Sequence, residues 1–179
     1  MKFACLLSNG FEDTEALATV NLLRRTGIQI DFVSIFNKKT VTGSHNTTVV
    51  ADVLMKKIKE EDYDGLFIPG GAHSFVIREE NSVKELVLKF YKHKKWLMAI
   101  CAAPTVFGMM GIMDGVKYIS FPGTEKDMSK AIRVNQKVVR DGFFITGRSV
   151  GVVYDFVFKI VETVLNTKAL ENLKKTIIY

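Results

Sequence analysis

The chain has 179 residues, 47% of them apolar and 25% charged, a balance that suits one hydrophobic core and excludes a disordered chain. Its 25 Lys and Arg outnumber 19 Asp and Glu for a net charge of +6, yet they are dispersed, as where Lys56, Lys57 and Lys59 stand beside Glu60, Glu61 and Asp62, so no nucleic acid is expected as a partner. No apolar run approaches the roughly 20 residues that cross a bilayer, and two cysteines are too few for a disulfide framework or a structural zinc site, so the expectation is a cytoplasmic protein without membrane or metal.

Phe3 to Leu7 is shorter than a secretion signal needs and reads as a first core strand. Glu12 to Arg25 sets Ala16, Leu17, Val20, Leu22 and Leu23 at helical spacing, with Gly27 following as a cap. Ile28 to Phe36 reads as the second strand, and Thr40 to Val50 as a small β excursion turning at Gly43-Ser44-His45-Asn46. Gly65 to Ile68 is a buried strand that runs into Pro69-Gly70-Gly71. Ser82 and Glu85 have capping-box spacing, which predicts a helix from Val83 to His93. Trp96 to Ile100 is the next strand and delivers Cys101; Ala102 to Met110 then reads as helical, Pro104 being tolerated in the first turn. Val116 to Ile119, Val138 to Arg140 and Gly142 to Thr146 read as short strands, and Tyr154 to Leu165 and Thr167 to Lys175 as the last helices. The alternation predicts one α/β domain over residues 1–179, with a mostly parallel central sheet and helices on both faces. Sites in such sheets lie beyond the C-terminal strand ends.

Three features fall at those ends. Ala99 and Ala103 flank Cys101 at the two-residue spacing of a nucleophile elbow, where small residues are needed because the tight turn crowds them. Such a turn exposes the sulfur and sets it at a helix start, an environment that favours the thiolate; a buried, inert cysteine is the competing reading. Adjacent glycines at Gly70 and Gly71 let the backbone approach a reacting group, so the N–H groups of Gly71 and Ala102 can form an oxyanion hole; a plain turn is the alternative. Glu12 and Asp13 suit the dipole of the helix they open, whereas Glu15, one turn in, can face either solvent or the strand ends. Of the histidines, His45 sits in a turn, His93 ends a charged helix, and only His73 is placed near the strand ends as a candidate pocket residue. Cys5, mid-strand among Phe3, Ala4, Leu6 and Leu7, reads as core.

Taken in order, Gly10-Phe11-Glu12-Asp13-Thr14-Glu15, Arg24-Arg25-Thr26-Gly27, Ile68-Pro69-Gly70-Gly71, Ala99-Ile100-Cys101-Ala102-Ala103-Pro104 and Asp155-Phe156 resemble, nearly end to end, the ThiJ/PfpI superfamily, in the branch of the parkinsonism-associated protein deglycase and its bacterial relatives. The resemblance implies a flavodoxin-like three-layer sandwich (a class I glutamine amidotransferase-like domain), a homodimer and no cofactor. Cys101 matches the family's reactive cysteine, and Glu15 the acid that hydrogen-bonds its sulfur. Gly71 and Ala102 match the backbone donors, and Arg25 and His45 match basic positions near the dimer interface.

The departures narrow the chemistry. Ala102 stands where protease-like members carry histidine, which argues against a peptidase. Phe121 precedes Pro122 where the deglycase branch often has histidine, which removes a general base from the pocket edge. Arg148-Ser149-Val150-Gly151 replaces a loop richer in glycine and proline. Two functions follow from the resemblance: attack of Cys101 on a small dicarbonyl such as methylglyoxal or on a glycated protein, or a redox sensor and stress chaperone that stops at the sulfinate. Nothing in the residues supports the thiazole phosphate site that the older family name suggests.

Overall fold

Both faces of the first strand, β1 (Lys2–Leu7), are covered, which is why it is apolar without alternation: Phe3 through Leu7 are fully buried. A computed structural model describes residues 1–179. After β1 come α1 (Asp13–Arg25), β2 (Gln29–Ser34), a hairpin of β3 (Thr40–Thr42) and β4 (Thr48–Val50), then β5 (Val53–Leu54) and β6 (Gly65–Ile68). The chain continues through α2 (His73–Ile77), α3 (Asn81–Lys92), β7 (Trp96–Ile100) and α4 (Pro104–Gly108) to the pair β8 (Lys117–Tyr118) and β9 (Ile132–Arg133). It closes with β10 (Val138–Asp141), β11 (Phe144–Gly147), α5 (Val153–Val164) and α6 (Thr167–Thr176).

Seven strands form one sheet in the order β10-β11-β7-β6-β1-β2-β5, parallel throughout except where β10 pairs antiparallel with β11. Side chains alternate across it. Phe3, Cys5 and Leu7 enter a core with Val20 and Leu23 of α1 and Phe156 and Ile160 of α5; Ala4 and Leu6 enter a second with Val87 and Phe90 of α3 and Phe107 of α4. The result is the expected flavodoxin-like sandwich of helices, sheet and helices. From β1 the chain goes to one side for β2 and later returns to the other side for β6. The crevice between the ends of β1 and β6 is therefore the topological switch point, where α/β sheets place their sites. No helix is long and apolar enough to cross a membrane.

Several local expectations shift. The helix expected from a capping box at Ser82 starts earlier, at Asn81, with Glu80 as its N-cap and no side-chain cap bond. Glu80's carbonyl already accepts the Val83 and Lys84 amides, so Ser82 lies inside the helix and the S-x-x-E spacing is coincidental. The second strand stops at Ser34 because the Ser34 hydroxyl reaches the carbonyl of Lys38 at 2.6 Å and turns the chain. The helix expected from Ala102 to Met110 is regular only over Pro104–Gly108. The short helix α2 after the paired glycines, and the two-residue strand β5, carry too little periodicity to be read in advance.

Candidate active site

Cys101 directly follows β7 with φ 64, the left-handed conformation of a nucleophile elbow and a strained one for a residue with a side chain. Two backbone bonds hold it there: its N–H donates to Gly147 at 3.0 Å, and its carbonyl accepts the Phe121 N–H at 2.8 Å. Ala99 and Ala103 are fully buried beneath the turn, so larger side chains have no space. The N–H groups of Ala102 and Gly71 lie close enough to the sulfur to favour its charged form. The helix that follows is barely more than one turn, so these two donors, rather than a helix dipole, offer the sulfur its positive charge.

The glycine pair brings the second wall within reach. A methyl group at Gly70 would lie 2.6 Å from Glu15 Oε2 and 3.0 Å from Cys101 Sγ, so only glycine fits. Gly71 takes φ +97, and a side chain there would meet Glu12 N at 2.6 Å. The same turn is tied to the loop after β1: Glu12 N–H donates to Gly70 O at 2.7 Å, and Phe11 bridges Gly71. Glu12 also caps α1, its carboxylate accepting the Glu15 N–H at 2.6 Å.

Glu15 is fully buried and faces the strand ends, not solvent. Its Oε2 accepts the Gly70 N–H at 2.7 Å. Oε1 has no partner of ordinary hydrogen-bond geometry, and the carboxyl group's remaining interaction is with the Cys101 thiol. Burial pushes the Glu15 carboxyl up to about 7, with the Gly70 N–H opposing and the charge of Glu12 adding. The Cys101 thiol is pushed up to about 12 by burial and then by the Glu15 charge, while the Ala102 and Gly71 N–H groups oppose. Of the pair the carboxyl is therefore the first to ionise, near 7, and its charge helps keep the remaining proton on the sulfur. A free, permanently ionised thiolate, which the elbow alone suggests, is not what the surroundings favour. Cys5, fully buried, has its thiol raised well above the ordinary range by burial and stays out of this chemistry.

The remaining candidates separate. Phe121 stands beside the elbow through its backbone bond to Cys101, with its ring about half exposed. His73 is fully buried behind the glycine turn, and burial lowers its imidazole to about 4. It accepts the Ser8 N–H at Nδ1 (3.3 Å) and donates from Nε2 to Pro69 O (2.7 Å). Its ring is therefore neutral and has no free nitrogen for a substrate. Arg25 lies on the outer face of α1, bonded to Asn21 at 3.0 Å, and the exposed ring of His45 stands 3.6 Å from Asp13 on the hairpin. Neither is part of the sulfur's surroundings. Gly70 and Glu12 have more specific roles than the close-approach glycine and dipole-matched acid expected from sequence: the Gly70 N–H holds the Glu15 carboxyl, and Glu12 caps α1 and ties it to the glycine turn.

A family model described as the DJ-1/PfpI family matches residues 1–163. The deglycase PH1704 of Pyrococcus horikoshii is 30% identical over 150 residues, covering 83% of this chain and 90% of its own length. Protein dj-1beta of Drosophila melanogaster is 28% identical, covering 95% of this chain and 92% of its own. Among solved structures, a cysteine-to-alanine mutant of the DJ-1 superfamily protein STM1931 from Salmonella typhimurium superposes with a TM-score of 0.94 at 27% identity, covering 99% of this chain and 98% of that one.

Proposed function

The chain belongs to the DJ-1/PfpI family, and from that premise we propose that it acts on reactive carbonyls through Cys101 and Glu15, as a deglycase or glyoxalase-type enzyme. One observation carries the reading: the strand-end turn at Cys101 and the fully buried Glu15 carboxyl meet at Gly70, where a single methyl group would touch both. The relatives named deglycases support the substrate class.

With methylglyoxal, the Glu15 carboxylate takes the thiol proton as Sγ adds to the aldehyde carbon; the new oxyanion, held by the Gly71 and Ala102 N–H groups, then takes that proton from Glu15, leaving a hemithioacetal and a free carboxylate. The Glu15 carboxylate then removes the carbon-bound proton, the electron pair passing to the neighbouring carbonyl as an enediolate; return of that proton to the neighbouring carbon, with transfer of the hydroxyl proton to the neighbouring oxygen, leaves the thioester of lactate. One carbon is oxidised as its neighbour is reduced, so no outside oxidant is needed. Water cleaves the thioester, releasing lactate and restoring the thiol. A glycated amine or thiol first loses its C–N or C–S bond, the hydroxyl proton passing to the departing amine or thiol, and the aldehyde so released enters the same steps. Incubation with methylglyoxal should yield lactate, and Cys101→Ser should abolish it; equal rates would overturn the proposal.

A second reading is favoured by burial of the carboxyl beside the sulfur, which keeps it protonated up to about 7. Peroxide oxidation of Cys101 would stop at the sulfinate, whose oxygens Glu15 and the two N–H groups can bind, giving a redox sensor rather than a catalyst. Mild peroxide should add two oxygens to Cys101 and none to Cys5; oxidation of both alike would count against it.

The partner we propose is a second copy of the chain. A groove of about 470 Å³ on the outer face of α1, lined by Leu17, Ala18, Leu22, Phe32 and Tyr154, lies close to Arg25 and supports that surface.

A further inference from the structure

The peptide unit joining Pro69 to Gly70 is gripped from both ends. Its N–H donates to Glu15 Oε2 at 2.7 Å, and its C=O accepts from His73 Nε2 at 2.7 Å. The tautomer of His73 follows from its other nitrogen: the Ser8 amide can only donate, so Nδ1 is the acceptor and Nε2 carries the hydrogen. An unbroken line of hydrogen bonds then runs from the end of β1 (Ser8), through the imidazole and the Pro69–Gly70 peptide, to the carboxyl beside Cys101. The geometry points to His73 as a positioning residue: it fixes the plane of the Pro69–Gly70 peptide so that the Gly70 N–H faces Glu15, and thereby sets the protonation of the Glu15–Cys101 pair.

Three observations support this. The second donor to Pro69 O, the Ser74 hydroxyl, is at 3.5 Å and too long to fix the plane. Gly70 has no side chain to resist rotation of that peptide, and it cannot acquire one because Cys101 and Glu15 fill the space. A bond to the carbonyl also polarises the amide, so the N–H on the far side becomes a stronger donor, by roughly 10–30% in condensed-phase reckoning. His73 itself stays neutral at ordinary pH, because burial disfavours its charged form. The ionisable groups acting on the Glu15 carboxyl are Cys101 and Glu12, and neither changes when His73 is replaced.

The inference rests on Glu15 and Cys101 acting as a pair, and its test avoids turnover. The rate of iodoacetamide reaction at Cys101 is followed against pH in the full-length wild type, His73→Leu, His73→Asn, His73→Gln and Ser74→Ala, with the modified peptide read by mass spectrometry. Loss of the Nε2 donor weakens the Gly70 bond to the carboxylate, so the midpoint should rise by roughly 0.5 unit or more in His73→Leu and His73→Asn. His73→Gln places an amide N–H where Nε2 lies and should restore the wild-type midpoint; Ser74→Ala should leave it in place. Should His73→Leu fail to fold, the contrast between Asn and Gln decides. Unmoved midpoints in the Leu and Asn variants, or a shift in Ser74→Ala as large as in His73→Asn, would overturn the role of His73. A wild type that makes no lactate while these shifts appear would sink the carbonyl reading alone.

Discussion

Two buried titratable side chains stand on either side of one peptide unit, and burial moves them in opposite directions. Glu15 rises from 4.5 to about 7, so the folded state holds a proton that the unfolded chain has already lost. Its contribution to stability is full below 4.5 and is lost as pH rises through about 7, a change on the order of 3 kcal/mol. His73 falls from 6.5 to about 4; the unfolded chain takes up the proton first, so this contribution is full above 6.5 and is lost as pH falls through about 4. Glu15→Gln cannot ionise but can still accept the Gly70 N–H. Its stability relative to wild type, measured by urea unfolding, is therefore expected to be greater above pH 7 than below 4.5. A constant difference across that range would contradict the burial argument. The elbow was legible at this scale because Ala99, Cys101 and Ala103 have a steric signature. The orientation of Glu15 was not, because helical spacing alone leaves its side chain free to face either way.

At the level of elements, the loops after β1, β6 and β7 hold the site because each reaches the next. Gly70→Ala would press a methyl group onto Cys101 and the Glu15 carboxyl. Overpacking of this kind costs about 1–3 kcal/mol, and lactate formation is expected to fall at least about tenfold with the displacement of the Glu15 carboxyl. Melting and activity together check this, and unimpaired turnover would show that the turn tolerates a side chain. The hairpin of β3 and β4 is anchored separately. Asp13 accepts the His45 and Thr47 amides at 2.9 and 3.0 Å. Burial pushes its carboxyl up, but the bonds from Thr47 and His45 win and hold it below the ordinary carboxylate range. Asp13→Ala should cost about 2–3 kcal/mol and speed amide exchange of His45 and Thr47, leaving the midpoint of the Cys101 reaction unchanged. The long, periodic elements α1 and α5 were readable from sequence, as was the hairpin, because burial imposes a repeat on them. Helix α2, the start of α3 and strand β5 were not, since a single turn is decided by a few backbone bonds such as those of Val83 and Lys84 to Glu80, and a two-residue strand by its pairing with β2.

The whole molecule combines a sheet order that opens a crevice at β1 and β6 with a loop set that fills it with one cysteine and one acid. The family and sandwich could be read from ordered motifs spread along the chain, whereas the protonation of the site could not, because it depends on burial by residues distant in sequence. A chain of 20.1 kDa that pairs through the α1 face should elute at twice that mass, and Tyr154→Asp should return it to the monomer. A wild-type monomer under the same conditions would contradict the dimer. The most direct test of the coupling between Glu15 and Cys101 is the pH dependence of Cys101 alkylation in wild type and Glu15→Gln. The wild type should show an inflection near 7, where Glu15 ionises and becomes able to take the thiol proton, and Glu15→Gln should lose that inflection and titrate at higher pH as a lone buried thiol. The same single inflection in both proteins, in the range of an unperturbed cysteine, would contradict it.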